Sequence, residues 1–211
     1  MSGKLSAVLR YLEHFCYLAG VLLAGFFFVQ LAQGEIERRD GIQAFTLDLS
    51  GTEHPDTSLW SPGRIEDYRS SLDAALPDIL GVLEIDALEL KVPVYADSSE
   101  QVMDRGAGII EGMAYPHEPG NIGISGHRDG YFRVLKDIRV GDVITLQTLE
   151  GAKRFTVDAI RIVDKADTSV LQDTREQTVT LVTCYPFYYV GPAPRRFVVT
   201  ARLASNYVNR D

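Results

Sequence analysis

The sequence predicts a mainly β protein: an eight-stranded, closed or nearly closed β-barrel with short helices, preceded by an N-terminal transmembrane helix. Three observations predict it. From Ile79 to Leu203 the chain is a succession of short runs rich in Val, Ile, Leu and Thr, broken by turns that carry Gly, Pro or Asp. Stretches of helical period are few and short in that region. Upstream, Phe15–Ala32 is an uncharged run of about 18 residues with Gln30 as its one strongly polar side chain, just long enough to cross a hydrocarbon core.

The 211 residues allow one domain of ordinary size plus an anchor. With 21 Lys and Arg against 29 Asp and Glu, and no basic run, the chain lacks the clustered cations of a nucleic-acid face. Two cysteines exclude a disulfide scaffold, and no C-x-x-C or H-E-x-x-H spacing marks a metal site.

In order, residues 1–14 are short and lightly basic and read as a cytoplasmic N-terminus. Residues 15–33 read as the transmembrane anchor. A cleavable signal peptide is the competing reading, since Ala32-Gln33-Gly34 offers small residues for a peptidase. Lys4 and Arg10 on one side are balanced by Arg38 and Arg39 on the other, so charge hardly decides the orientation.

Residues 34–76 read as a polar stalk and an amphipathic helix. Ser61-Pro62 is a helix start, with serine as cap and proline at the first helical position. Ile65, Tyr68 and Leu72 then follow at helical spacing to about Leu76, with Trp60 beside them. From residue 77 to 211 the period is that of strands. Ile79–Ile85 and Leu88–Tyr95 come first, Pro93 placing the second near an edge. Asp97 to Met103 suits a short capped helix, and Arg105 to Gly112 a turn and a short strand. Asn121–Ser125, a helical turn at Tyr131–Leu135, a hairpin of Val143–Thr148 with Lys153–Ile162, and the strands Val179–Thr183 and Phe197–Leu203 complete the series.

Chemistry concentrates near the C-terminus. An apolar run ends at Cys184; a loop with Pro186, Pro192 and Pro194 follows, then Arg195-Arg196 and a second apolar run. Such an order holds a thiol and a guanidinium over one end of a sheet. A lone cysteine is more often a small hydrophobe. Cys184, however, closes a strand, and Cys16 lies in the apolar segment, so the thiol has no disulfide partner. A nucleophilic thiol needs a base or cation beside it. His127, in Asn121-Ile-Gly-Ile-Ser-Gly-His, also ends a β run. His117, between two prolines, is its competitor.

Thr180-Leu-Val-Thr-Cys184 resembles the cysteine signature of sortases, Asn121-Ile-Gly-Ile-Ser-Gly-His127 resembles their histidine motif, and Arg196 before Phe197-Val-Val matches the arginine opening their last strand. Three motifs in the right order make the likeness specific from about Ile79 to Leu203. The Cys-Tyr-Pro-Phe-Tyr-Tyr-Val-Gly loop and the Gly-His-Arg-Asp segment are most similar to class D.

The resemblance implies a membrane-bound cysteine transpeptidase with Cys184 as nucleophile, His127 as general acid and base, and Arg196 holding the oxyanion, Arg195 being the runner-up. It implies cleavage of an LPxTG-like sorting signal of secreted proteins and transfer to an amine of a cell-wall peptide or a pilin. It also implies a single-pass protein of the cell membrane, N-terminus inside and catalytic domain outside. Thr183, Tyr185 and Tyr188 are expected to line the peptide groove. No cofactor or metal is expected, Glu111 and Glu118 forming no convincing ligand pattern. Asp86, where many sortases have proline, and Gly112-Met-Ala-Tyr-Pro-His depart from the family pattern. A peptidase hydrolysing the same signal would use the same residues. A non-catalytic, membrane-tethered binding module would need one of the three missing.

Overall fold

The computed structural model describes residues 55–204 except Val190 and, upstream, His14, Tyr17, 19–21, Leu23, Gly25 and Phe26. The described residues upstream are helical. Most of the stretch read as an anchor, and nearly all of the stalk, lie outside the described residues. Among those described, no helix is long and apolar enough to cross a membrane.

Eight strands form the domain: β1 (Ile79–Ile85), β2 (Leu90–Tyr95), β3 (Ala107–Ile109), β4 (Asn121–Ser125), β5 (Val143–Thr148), β6 (Gly151–Asp164), β7 (Thr178–Tyr185) and β8 (Arg195–Leu203). They close into a barrel in the order β1-β2-β3-β4-β7-β8-β6-β5, with β5 returning to pair with β1. Closure leaves no sheet edge to be covered. Two contacts are parallel, β2 with β3 and β4 with β7.

Strand alternation fills the interior. Leu83 and Ile85, Val92 and Val94, Ile122 and Ile124, Ile144 and Leu146, Phe155 and Val157, Val179 and Leu181, and Phe197 and Val199 all enter one core. The hairpin of β5 and β6 turns at Gly151, whose φ of +118° suits a residue without Cβ. β6 runs longer than the sequence pattern suggests because its second half pairs with β8, past a shift of register between Val157 and Ala159. Pro93 is tolerated in β2 because the short β3 pairs only from Val94 onward.

Two helices matter to the site. Helix α1 (Pro62–Ser71) begins as expected, Arg64 N–H donating to the Ser61 hydroxyl at 3.2 Å. It ends before Leu76, and Leu72 is its half-exposed C-cap rather than part of the apolar face. Ile65 and Tyr68 pack on the core, and Trp60 meets Tyr68 and Tyr131 edge-on at 5.6 and 4.8 Å. Helix α2 (Glu100–Arg105) starts at Ser99, whose side chain makes no cap bond. Asp97 Oδ1 instead accepts from the Ser99 N–H at 2.8 Å.

Phe155 is fully buried among these strands, so Phe155→Ala is expected to lower unfolding free energy by about 3–5 kcal/mol. Denaturant titration would read it as a lower midpoint at unchanged slope.

Candidate functional site

The site is built by register. β4 and β7 run parallel, with Asn121 opposite Thr178 through to Ser125 opposite Val182. The pairing continues one residue further: Gly126 N–H donates to the Val182 carbonyl at 3.3 Å, and the Thr183 hydroxyl donates to the Gly126 carbonyl at 2.7 Å. The next residues along the two chains are His127, two positions past the end of β4, and Cys184 of β7. On the other side of β7, Cys184 stands opposite Arg196 of β8. Three neighbouring strands, each about 4.8 Å from the next, thus deliver an imidazole, a thiol and a guanidinium at one level of the barrel.

Facing also follows. Leu181 and Phe197 are in the core, so Cys184 and Arg196 lie on the opposite, outward side of their strands. Cys184 is half-buried and makes no disulfide. Arg196 is half-buried, its Nη1 donating to the carbonyls of Ala193 and Arg195 at 3.3 and 3.1 Å. Arg195 is exposed, pairs with Tyr185 in register and lays its guanidinium 5.1 Å from that ring. Between the two arginines, register thus sets Arg196 beside the thiol.

The three residues expected to line a groove occupy different surroundings. Thr183 is 2% exposed and its hydroxyl is taken by Gly126. Tyr185 stacks on Phe197 and meets Phe187 edge-on. Tyr188 is 70% exposed in the β7–β8 loop, with Arg133 at 4.9 Å from its ring. His117 lies in an exposed turn and helps line a cleft of about 670 Å³ with Leu80 and Leu149. Because Leu149 is in the β5–β6 turn and Cys184 at the other end of β7, that cleft is at the far end of the barrel.

Sequence reasoning did not find the groups around His127. Its Nε2 is 3.2 Å from Glu100 Oε1 and 3.6 Å from Asp104 Oδ1, both on α2. These are ion-pair distances without hydrogen-bond geometry, and Nε2 is buried with no hydrogen bond. Arg64 of α1 pairs with Asp104, and its Nε with Asp129 Oδ1 at 3.3 Å. The Ser61 hydroxyl donates to Asp129 Oδ2 at 3.0 Å. Glu100, Asp104 and His127 bring donor atoms within 4.8 Å of one another, but the charge of Asp104 is already answered by Arg64.

Arg128, next to His127 in the Gly-His-Arg-Asp segment, also shapes the site. It donates to the carbonyls of Pro186, Tyr189 and Gly191 at 3.3, 2.9 and 2.9 Å. It therefore ties the loop after the thiol to the residue beside the histidine. Its place in Gly-His-Arg-Asp was the available signal.

Electrostatics bear on His127. Burial, and then the Arg64 guanidinium, push the imidazole below its usual pKa, against the pull of Glu100, Asp129 and Asp104. Burial raises the Asp104 carboxyl in spite of Arg64 and His127. Burial acts the same way on Asp129, but there Arg64, the Ser61 hydroxyl and His127 outweigh it and hold the carboxyl below the ordinary range.

A half-buried thiol, an imidazole and a guanidinium on adjacent strands can attack a carbonyl, move a proton and stabilise an oxyanion. The family model described as Sortase domain matches residues 83–204. The chain belongs to the sortase family, whose members are cysteine transpeptidases. Within that family it is most like class D. It is 29% identical over 187 residues to the sortase D of Bacillus subtilis (strain 168), covering 88% of this chain and 93% of that protein. The fold is similar to that of a Clostridium perfringens sortase D5 transpeptidase, at a TM-score of 0.57 and 23% identity over 80% of this chain and 98% of the other. Sortase C1 from Streptococcus agalactiae gives a TM-score of 0.56 at 30% identity, covering 71% of this chain and 79% of that one.

Thr183→Val would leave the Gly126 carbonyl without its buried donor. A loss of about 1–3 kcal/mol in stability is expected, together with lower turnover because the turn carrying His127 is loosened. Thermal melting and steady-state rates on one preparation would check both.

Proposed function

We propose that this chain is a membrane-anchored transpeptidase that cleaves an LPxTG-like sorting signal of secreted proteins and passes the acyl group to an amine. The observation that carries the reading is the register that sets Cys184 of β7 opposite Arg196 of β8, with His127 two residues past the end of β4, the strand that pairs with β7 on its other side. The Cys184 thiolate adds to the scissile carbonyl carbon, and the oxygen gathers charge opposite the Arg196 guanidinium. The C–N bond breaks, His127 as imidazolium gives its proton to the departing amine, and a thioester remains on Cys184. An incoming amine, from a cell-wall peptide or a pilin lysine, attacks that thioester. Its proton returns to His127, and the sulfur leaves as thiolate.

The anchor is part of the same proposal. Phe15–Ala32 carries no charge, and Tyr17, Val21, Leu23 and Phe26 are helical and exposed. Exposed apolar side chains of that number suit lipid better than water. The N-terminus is inside and the barrel outside, where secreted substrates and cell-wall amines are found.

The test is a library of fluorogenic LPxTG-like peptides, with and without amine acceptors, on the full-length chain in detergent. Cys184-dependent cleavage giving an amine-linked product is expected, with none from Cys184→Ala. Free acid alone, whatever amine is supplied, would make the protein a hydrolase. No Cys184-dependent turnover would leave a binding module. Arg196→Ala is expected to lower kcat about 10²–10³-fold, as for a lost oxyanion donor. Because the His127 imidazole is held below its usual 6.5, the acid limb of kcat/KM should fall below that pH. A limb above it would contradict the assignment.

A further inference from the structure

Proton transfer in the proposed reaction depends on how much of His127 is imidazolium. Ionised groups from several elements surround it: Arg64 of α1, Glu100 and Asp104 of α2, and Asp129 of its own loop. Cys184 and Arg196 stand opposite each other on β7 and β8, and β7 pairs with the strand that leads to His127. Carboxylates so close would by themselves favour the imidazolium. Arg64 opposes them, and it is no mobile surface residue: its side chain is 11% exposed and that of Asp104 16%. We propose that Arg64 is a positioning residue of the active site, which acts through Asp104 and Asp129 to set the protonation of His127. The proposal rests on His127 being the proton carrier.

The surrounding bonds fix Arg64 in place. Ser61 accepts from the Arg64 N–H as the cap of α1 and donates to Asp129 with the same hydroxyl, so the start of the helix and the ion pair share one residue. Ser61 N–H also donates to the Asp129 carbonyl at 3.2 Å. At the other end of α1, Arg105 of α2 donates to the carbonyls of Ser71 and Leu72 at 3.1 and 3.3 Å. The helix is thus tied to the histidine loop at its start and to α2 at its finish. It lies upstream of the residues that the family model matches. A segment before the barrel accordingly completes the electrostatics of the site. The physical need is plain: a proton held too tightly is not given to the leaving amine, and one held too loosely is absent.

The experiment titrates His127 by NMR of ring-labelled histidine in the full-length protein in detergent micelles, alongside the pH profile of kcat/KM. Arg64→Leu is expected to raise the imidazolium-to-imidazole ratio about three- to tenfold at a given pH and to move the acid limb up by the same amount. Arg64→Lys, which keeps the charge, should stay near wild type. Asp104→Asn, which leaves the cap of α1 intact, should shift both readouts the other way. If neither Arg64→Leu nor Asp104→Asn moves the His127 titration, the proposal is wrong. If the titration moves while the acid limb stays, Arg64 acts on the imidazole but His127 is not the proton carrier, and the reading beneath the proposal falls. Loss of rate with both readouts unchanged would reduce Arg64 to a purely structural role and overturn the proposal as well.

Discussion

The parallel pairing of β4 with β7 is the constraint on which the site depends. A slip of one residue would set Gly126 or Arg128 beside Cys184 and turn every side chain of the strand to the other face. A buried polar pair resists that slip, since the Thr180 hydroxyl donates to Asn121 Oδ1 at 2.8 Å with both residues out of solvent. Asn121 spends its amide on the Gln172 carbonyl at 3.0 Å, which fastens the segment before β7 to the same point. A displaced register would leave these groups buried without partners, at a cost of about 1–3 kcal/mol each. Polar atoms at the start of the two strands thus set which side chains meet at their finish.

At the finish, small and large residues divide the work. A Cβ on Gly126 would come within 2.9 Å of the buried Phe132 ring, so the chain passes over that ring only as glycine before it presents His127. Past the histidine, Arg128 reaches toward the loop after the thiol, while Asp129 reaches back to α1. Consecutive residues therefore join the barrel, the loop and the outer helix around one imidazole.

Much of the barrel was legible because strand alternation is local. Each apolar run carries its own period, and Gly and Pro mark the ends, so the strand order along the chain and the positions of Cys184, His127 and Arg196 at strand termini could be read directly. The extents were less legible. β6 borrows its length from β8, and α1 stops where Leu72 leaves the barrel surface. The charged surroundings of His127 were hidden for another reason. Arg64 and Asp104 are 40 residues apart, and nothing in an ion pair imposes a spacing on the sequence. Tyr185 and Tyr188 were expected to line the peptide groove. Tyr185 joins the core stack and Tyr188 faces solvent, because alternation continues through Tyr185 and ends in the loop.

The order of strands in the closed barrel bears on when the candidate site is assembled during synthesis. β7 is bordered by β4 and β8, and the Thr183–Gly126 bond joins residues 57 apart. A growing chain makes β1 through β6 first, with His127 already present and nothing opposite it. The thiol emerges late, and its arginine partner later still, in the strand that closes β6 onto β7. A nascent or truncated chain that ends before β8 therefore carries the thiol without its guanidinium, on a strand that has not been enclosed. The thiol and the guanidinium therefore come together only once the last strand of the barrel is in place.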